Sequence, residues 1–521
     1  MEAELVTSSH QRRRVPAPTG ESAAIRPGND QRPLRPGLSP RYAPMRWQAF
    51  AATGRWRVSQ SVVVIGAGIS GLVTARTLAT SGVDVTVLER QHVPGGQIRT
   101  AQVAGLPVDV GAEALHVAGP HVTDLLAEVG VADLAVGART TWTWIWTRRG
   151  LRRLPAGMGP AGPTRLAPLI GSRVLGPVGL ARAALEPLVP RESLDDDVSV
   201  GAFLSRRFGR RVVQQLVDPL LGSLHAGDVS RLSLRAATPY LAAVAANRRS
   251  LMLGPRPAAS SAPTFLTFPG GLTVLVEALA AHPAVTVRCG VGVSSVDADR
   301  SGVRVELDGG ESLVVDAVVL AVPAAEAAAI LGAGRDGSPP VAGLAHLNAA
   351  SVVTAVVAYP RADVERESAF GATGVLVPPS RGRFLKAATF LSRKWPHLSD
   401  PGVFLVRMSA GRYGDTGGGG DITTSSDQDL VGRLHADLAE ATGLRSDPST
   451  FHVQRWPRAM PQLEVGHLER MAAIRSALPT DAVLLAGAPY DGVGIASCIR
   501  SGRAAASRII DGASAVVTTP T

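Results

Sequence analysis

The sequence predicts a mixed α/β (α+β) protein whose main α/β domain is discontinuous along the chain. Residues 61–89 have the pattern of a buried strand, a glycine-rich turn, a helix and a second strand. Near the C-terminus, the stretch AVLLAGAPYDGVGIASCIRSGRAAASRII repeats the strand, turn and helix. Between them lie a long region of helical periodicity and a set of longer strands, so the chain leaves the first domain, builds others and returns.

Length and composition agree with several packed domains. The chain has 521 residues, of which 45% are hydrophobic, and domains usually span about 100–200 residues. The net charge of +10 comes from arginine, since Lys386 and Lys394 are the only lysines. The sequence has no Lys/Arg-dense run with interleaved aromatics, so a nucleic-acid partner is not favoured. The two cysteines, Cys289 and Cys498, are too few for a disulfide framework or a zinc site, and they fit a reducing compartment.

Residues 1–58 differ from the rest of the chain. They contain seven prolines between Pro16 and Pro44 and little apolar periodicity, which predicts a disordered extension. No apolar segment follows its arginines, so we do not expect a secretory signal. A translation start at Met45, or a tail that touches a membrane or a partner, are the alternatives. No segment is apolar enough to predict a membrane span, and we expect a cytoplasmic protein, with peripheral contact at the inner face of the membrane left open.

The first structural unit predicts a dinucleotide site. Ser61–Ile65 is a short β-branched run typical of a parallel strand, and Gly71 is expected to open a helix that stops at Ser81. In the Gly-x-Gly-x-x-Gly spacing, the first glycine allows a tight turn, the second a close approach of a pyrophosphate, and the third close helix–strand packing. Glu89 follows 18 positions after Gly71, where an acid binds ribose hydroxyls.

The spacing of the glycines and Glu89 does not by itself distinguish an NAD site from an FAD site, but the sequence that follows Glu89 does. The stretches PGGQIRT and GLPVDVGAEALH add a second glycine pair, Gly95 and Gly96, and a return of the chain past Gly111. Here the sequence resembles the FAD-dependent amine-oxidase and protoporphyrinogen-oxidase superfamily, in which a Gly-Gly-x-x-x-Thr segment runs along the flavin. The blocks VVQQLVDPLLGSLHAGDVSRLSLRAATPYLA, TFPGGLTVLVEAL, RWPRAMPQLEVGH and GAPYDGVGIASCIRSGRAA are more narrowly similar to the Gram-positive bacterial enzymes that oxidise coproporphyrinogen III, over residues 60–512.

This resemblance implies a Rossmann-like FAD domain, a mixed-sheet substrate domain and an inserted helical subdomain. It implies oxidation of a porphyrinogen in porphyrin (haem) biosynthesis, with molecular oxygen as acceptor and hydrogen peroxide released. The flavin carries the redox chemistry, so we expect no catalytic residue and no metal. Protoporphyrinogen oxidation, another flavin amine oxidase or desaturase, and a non-catalytic flavoprotein remain open. The expected segments are 1–58 (extension), 59–147, 264–330 and 465–515 (FAD domain), 148–263 (helical, facing substrate or membrane), 331–464 (substrate sheet) and 516–521 (tail).

The resemblance also implies the cofactor contacts. The pyrophosphate, ribose, flavin and adenine are expected at, in chain order, Gly66, Ala67, Gly68, Ile69, Ser70, Gly71, Glu89, Arg90, Gln97, Gly111, Ala112, Glu113, Ala114, Val293, Trp456, Val493, Gly494 and Ile495. Trp456 and Val293 could instead be ordinary core, and the glycines near Gly494 only a tight turn.

Two histidines and three tryptophans are predicted to have structural roles. His225 and His467 are expected to be structural histidines. Trp142, Trp144 and Trp146 alternate at strand period, which favours a half-buried aromatic face over a porphyrin-stacking site.

Two departures from the family pattern concern charge. Relatives commonly carry lysine where this chain has Gln97, and a basic pair where it has the segment from Val117 to His121. A substrate with several carboxylates would benefit from arginine or lysine there.

Overall fold

The computed structural model describes residues 60–517 except 118, 140–141, 160–161, 254–262, 300–301, 333–340, 342 and 415–421, with backbone only from 513. The predicted extension 1–58 and the predicted loop at Gly417–Gly420 lie outside the described residues. The strands are β1 (Ser61–Ile65), β2 (Asp84–Glu89), β3 (Thr100–Val103), β4 (Leu106–Asp109), β5 (Leu115–His116), β6 (Val136–Gly137), β7 (Trp144–Thr147), β8 (Gly150–Arg153), β9 (Met158–Gly159), β10 (Gly162–Pro163), β11 (Phe265–Thr267), β12 (Val285–Cys289), β13 (Val293–Asp299), β14 (Gly302–Leu307), β15 (Ser312–Val315), β16 (Ala317–Leu320), β17 (Ala349–Pro360), β18 (Gly374–Leu376), β19 (Ala387–Phe390), β20 (Val403–Ala410), β21 (Thr450–Pro461) and β22 (Val483–Leu485).

The helices alternate with these strands at both ends of the chain and dominate the middle. They are α1 (Ile69–Thr80), α2 (Pro120–Glu128), α3 (Leu166–Ser172), α4 (Pro177–Ala184), α5 (Val200–Phe208), α6 (Arg210–Val212), a π-helix (Val213–Gly222), α7 (Ser223–His225), α8 (Leu234–Ala237), α9 (Pro239–Asn247), α10 (Thr273–Ala280), α11 (Ala324–Ile330), α12 (Arg361–Val364), α13 (Leu391–Lys394), α14 (Asp427–Thr442), α15 (His467–Ser476), α16 (Ala488–Asp491) and α17 (Ile495–Val517). Among the described residues, no helix is both long enough and apolar enough to cross a membrane.

A five-stranded parallel sheet, in the order β12-β2-β1-β16-β22, forms the discontinuous α/β domain. Its strands come from three distant parts of the chain, as the repeated strand and glycine turn predicted. Side chains of β1 alternate between two cores: Val62 and Val64 pack beneath α1 and α10, whereas Val63 and Ile65 pack against β14 and α11 on the opposite face. Burial on both faces explains why β1 is a continuous apolar run.

Helix α1 begins two residues before the predicted start. Gly68 is its N-cap, so the first turn already includes Ile69 and Ser70, and the helix ends at Ser81 as predicted. Helix α17 crosses it closely, because a Cβ on Gly502 would lie only 2.5 Å from the Ser70 carbonyl oxygen. Helix α17 therefore packs against the first turn of α1.

A seven-stranded mixed sheet, in the order β21-β17-β20-β19-β18-β7-β8, forms the second layer system. Its pairs are antiparallel except for β18 with β7, which agrees with the mixed sheet predicted for this region. Helix α14 covers one face, and Trp142, Trp144 and Trp146 pack into that same core. The aromatic stripe is thus part of a packed core with partly buried edges.

One predicted boundary needs correction. The helical segment was expected to begin at residue 148, but β8 pairs with β7 and belongs to the seven-stranded sheet. A tight turn joins the two strands, so residue 148 lies inside a hairpin. The other boundaries stay predictions. Beyond the hairpin, helices α3 to α9 enclose their own core, in which Glu186 is fully buried and pairs with Arg207.

Candidate functional site

The glycine loop between β1 and α1 is built by backbone contacts that exclude side chains at two positions. A Cβ on Gly71 would lie 1.9 Å from the Gly66 carbonyl oxygen, and Gly66 itself has a φ of +103°. Gly68 differs, because a Cβ there would meet no atom within 4 Å. The loop is therefore closed around its first and third glycines and open at the second, on the side of the α1 N-terminus.

The second glycine pair packs directly on this loop. The amide of Gly95 donates to the carbonyl of Ala67 at 2.8 Å, and Gly95 forms a parallel bridge with Gly68. A Cβ on Gly96 would lie 3.2 Å from the Gly68 Cα, and its φ is +57°. The stretch that distinguishes a flavin site from a nicotinamide site thus begins beside the loop that faces the expected pyrophosphate.

Glu89 lies at the end of β2 and faces the same loop. One carboxylate oxygen accepts a hydrogen bond from the amide of Ala67 at 2.8 Å, and the other accepts one from Gln91 at 2.8 Å. The amide of Val291 donates to the Glu89 carbonyl at 2.9 Å, which brings the start of β13 and Val293 to this end of the sheet. Arg90 is exposed beside Gly292 and Asp308. The structure therefore brings together all three residues predicted at the adenosine end, Glu89, Arg90 and Val293.

Gln97 and the segment Gly111–Ala114 form the next part of the site. The amide of Ala112 donates to the Gln97 carbonyl at 2.9 Å, and a Cβ on Gly111 would lie 2.0 Å from the same oxygen. The Gln97 side-chain amide donates to the carbonyl of Ala459 in β21 at 2.7 Å. This links the α/β domain to the seven-stranded sheet.

Glu113 is the charged centre of that segment. It accepts hydrogen bonds from Lys394 Nζ at 2.7 Å, Trp395 Nε1 at 3.1 Å and Arg407 Nη1 at 3.1 Å. Burial alone would raise the pKa of Glu113, but the charges of Lys394 and Arg407 and the hydrogen bonds outweigh it and lower the pKa to about 2. Arg407 also donates to the Gly111 carbonyl at 2.5 Å. The carboxylate is thus ionised, and it fixes the segment to the sheet.

Trp456 stands against the same segment from the side of β21. Its ring carbon Cζ2 would be 3.0 Å from a Cβ on Gly111, and its Nε1 donates toward the carbonyl of Val110 and the hydroxyl of Thr354 at 3.4 and 3.3 Å. The indole is partly exposed. Trp456 therefore lies next to the segment expected along the flavin.

Val493, Gly494 and Ile495 close the site from the C-terminal unit. Helix α17 begins at Ile495, and the amide of Cys498 donates to the Gly494 carbonyl at 3.0 Å. The preceding turn is fixed by Ser501, whose hydroxyl accepts from the Gly487 amide at 2.8 Å. A second helix N-terminus, with its partial positive charge, thus begins close to the first.

Sequence reasoning missed the partners of Glu113. Lys394 and Arg407 are 281 and 294 residues away from it, and no local pattern joins them. One signal was available, since Lys394 is one of only two lysines in the chain and directly precedes Trp395. The predicted structural role of His467 agrees with its burial and with its Nε2 contact to the Tyr490 carbonyl at 3.4 Å.

The residues present fit an FAD molecule. Gly68 leaves open the volume that a phosphate needs at a helix N-terminus, and the glycine N-cap has no side chain to compete for the free amides. Each oxygen of Glu89 accepts one backbone hydrogen bond and has further acceptor capacity for hydroxyl groups.

Comparison with known proteins agrees with this geometry. Residues 69–510 match the family described as flavin containing amine oxidoreductase. The coproporphyrinogen III oxidase of Bacillus subtilis is 30% identical over 86% of this chain and 97% of its own length. That of Mycobacterium tuberculosis H37Rv is 33% identical over 88% of this chain and 99% of its own.

A solved structure from Exiguobacterium sp. 255-15, provisionally named a protoporphyrinogen oxidase, superposes with a TM-score of 0.75 at 26% identity, covering 87% of this chain and 98% of that one. Both the fold and the cofactor predicted from the sequence are confirmed. The chain belongs to the flavin containing amine oxidoreductase family and is an FAD-dependent oxidoreductase.

Proposed function

We propose that the protein oxidises coproporphyrinogen III to coproporphyrin III, with molecular oxygen as acceptor and hydrogen peroxide as the second product, in porphyrin biosynthesis. The proposal rests on the contacts of Gly111 with Trp456 and Arg407. These contacts join the segment Gly111–Ala114, expected along the cofactor, to the seven-stranded sheet. The relatives from Bacillus and Mycobacterium align over nearly their whole length, so the substrate sheet is included in the match.

We assign the cofactor contacts as the resemblance implied. The loop Gly66–Gly71 and the α1 N-terminus hold the pyrophosphate, Glu89 and Arg90 hold the ribose, and the backbone at Val293 meets the adenine. Gln97, Gly111–Ala114, Trp456 and Val493–Ile495 surround the flavin end. Bound FAD accepts the electrons that leave the substrate.

The chain's own residues orient and enclose that chemistry. Glu113 holds its segment rigid through Lys394 and Arg407, so the backbone at Gly111 has one position. Trp456 covers this backbone and excludes water from it, and a drier site strengthens each fixed dipole. The N-terminus of α17 offers partial positive charge to an anionic flavin.

Protoporphyrinogen oxidation is the second candidate, favoured by the provisional name of the Exiguobacterium structure. The two porphyrinogens differ in carboxylate number. A site with excess positive charge would favour the one with more carboxylates, and Lys394 and Arg407 give the site one cation more than Glu113 neutralises.

The test is an assay of the purified, FAD-loaded full chain with each porphyrinogen in air. We expect porphyrin fluorescence and peroxide to appear together, with a higher kcat/KM for coproporphyrinogen III. A preference for protoporphyrinogen would favour the second candidate. Turnover of amines or polyenes alone would indicate another oxidase or desaturase, and a flavoprotein that reduces its flavin with none of these donors would refute the enzymatic proposal.

We further propose a peripheral membrane contact through the helical region. Several large apolar side chains are exposed in this region: Ile170, Val178, Leu185, Leu188, Leu224, Tyr240 and Leu253. The same stretch of the sequence contains several arginines. Exposed apolar side chains together with arginines suit the surface of an anionic bilayer. In cosedimentation with vesicles that contain anionic lipid, we expect the wild type to pellet and the double variant Val178→Asp/Leu188→Asp to stay in the supernatant. Equal recovery of both proteins in the supernatant would refute the contact.

A further inference from the structure

The π-helix Val213–Gly222 is an unusual element in this fold. It spans ten residues and contains Pro219, whereas most π-helices are single-turn bulges, often at functional sites. In a π-helix, residues five apart lie above one another. Asp218 lies in this element, and Ser223, five residues later, is the first residue of α7.

Three buried polar atoms on the π-helix and on α7, which directly follows it, have no hydrogen-bond partner: Asp218 Oδ1, Ser223 Oγ and His225 Nδ1. His225 is only 4% exposed, and burial lowers its pKa to about 4, so its imidazole is neutral. A buried acceptor without a partner destabilises the fold. Three such atoms within eight residues offer acceptors to a ligand that carries hydrogen-bond donors.

The element ends next to the proposed flavin segment. Ala226, which follows His225, packs with Trp456 and Met460, and Gln462 Nε2 donates to the carbonyls of His225 and Met460 at 3.0 and 2.9 Å. Trp456 also lies against Gly111. A substrate lying at Trp456 would therefore be within reach of both regions.

We propose that Asp218 is the catalytic base that accepts the pyrrole N–H proton of the porphyrinogen, and that Ser223 and His225 position the ring as hydrogen-bond acceptors. This rests on the proposed function. The chemistry matches, because a porphyrinogen presents a ring of pyrrole N–H donors, and a carboxylate, a hydroxyl and a neutral imidazole can each accept.

The step balances with the oxidised flavin as the electron acceptor. A C–H bond of a meso carbon breaks, and its electron pair leaves with the hydrogen as hydride to the flavin. The adjacent pyrrole N–H bond breaks, and its proton goes to Asp218 Oδ1. A double bond forms between the meso carbon and the pyrrole α-carbon, and the nitrogen becomes an imine nitrogen. The substrate thus loses two electrons and two hydrogens in each step.

The electrostatics around Asp218 suit a base at neutral pH. Burial raises its pKa to about 6, with Asp228 adding to the rise and Arg412 and the Val229 amide opposing it. Arg412 also donates to the Val377 carbonyl at 2.8 Å. Three arginines on other elements packed against the π-helix have partners elsewhere: Arg206 with Glu192, Arg207 with Glu186, and Arg381 with Glu440 and the Trp146 ring. Arg210 and Arg211 on α6 are exposed.

Anaerobic rapid mixing of the FAD-loaded full chain with coproporphyrinogen III tests the assignment. Asp218→Asn should reduce the flavin at least about 100-fold more slowly, the usual scale of a lost general base. The rate of flavin reduction in the wild type should fall as pH drops through about 6. This acid limb of the pH profile should be absent in Asp218→Asn. Asp228→Asn is the matched control: it removes a neighbouring exposed charge, so it should keep fast reduction and move the limb to lower pH.

Three further readouts separate chemistry from structure. Flavin content, thermal unfolding and the reaction of reduced flavin with oxygen should match the wild type in Asp218→Asn. Coproporphyrin affinity, followed by fluorescence quenching, should rise through the same pH window only when Asp218 is present.

The outcomes are distinct. A wild type that fails to reduce its flavin overturns the proposed function and this assignment with it. An active wild type with an equally fast Asp218→Asn, or with an unchanged acid limb, overturns the role of Asp218 alone and makes the three polar atoms a structural, water-filled cluster. If Asp218→Asn does not retain flavin, the pH dependence of flavin reduction in Asp228→Asn is the deciding measurement. An acid limb that stays at the wild-type pH in Asp228→Asn would refute the assignment.

Discussion

Replacing Gly68 with valine should abolish flavin binding and leave the apo fold intact. The Gly68 backbone has φ −70° and ψ 173°, a conformation open to any residue, and a Cβ there meets nothing within 4 Å. The change at this N-cap should cost the apo protein about 1 kcal/mol or less. Valine would occupy the space facing the first amides of α1. Loss of two hydrogen bonds to a charged phosphate, at about 1.5–3 kcal/mol each, weakens binding roughly 100-fold to 10,000-fold.

Gly71→Ala should behave in the opposite way. A Cβ there would lie 1.9 Å from the Gly66 carbonyl oxygen, so α1 must move away from β1, and we expect a loss of about 1–3 kcal/mol or more in unfolding free energy. Gly432→Ala is the matched control, because it lies inside α14 with nothing within 4 Å. It should gain about 0.5–1 kcal/mol and keep its flavin.

The assay is the flavin-to-protein absorbance ratio after purification, combined with circular dichroism and denaturant unfolding of the apo proteins. A Gly68→Val protein with full flavin would refute the placement of the pyrophosphate. A Gly68→Val protein as destabilised as Gly71→Ala would show that the open volume belongs to the packing of the loop.

Two further predictions concern buried carboxylates. Glu113→Gln should lower the unfolding free energy by about 3–5 kcal/mol, because Lys394 and Arg407 lose their buried partner. Adding Lys394→Met should restore part of that free energy. An unchanged denaturant midpoint in Glu113→Gln would contradict this prediction. Since the folded pKa of Glu113 is lowered from 4.5 to about 2, its contribution is full above pH 4.5 and is lost as pH falls toward 2. Asp109 has the opposite sign: burial raises its pKa from 3.8 to about 6 despite hydrogen bonds from Thr100, Leu272 and Thr267, so stability falls as pH rises through that window. Denaturant titrations across it should show this dependence in the wild type and a flatter curve in Asp109→Asn; equal slopes would exclude Asp109 as the cause.

The sequence predicted elements that local chemistry determines. β1 was predicted with its observed bounds, because a β-branched run ended by glycine has few alternatives. The start of α1 was missed by two residues, since Gly68 caps the helix through its backbone and gives no side-chain signal. The π-helix was not predicted at all, because its apolar residues fit ordinary helical periodicity. Contacts such as Glu113 with Lys394 depend on how two domains pack, and neither spacing nor composition encodes them.

The departure at Gln97 changes the source of positive charge at the site. The Gln97 amide forms a neutral contact with the Ala459 carbonyl, and a lysine there would instead have added charge to the segment after Glu89. In this chain the cations come from α13 and β20, because Lys394 and Arg407 share the single carboxylate of Glu113. Arg407 also holds the Gly111 carbonyl, so the excess charge is fixed to the backbone assigned to the flavin. A carboxylate-rich substrate or an anionic flavin can therefore be stabilised here without a basic residue at position 97.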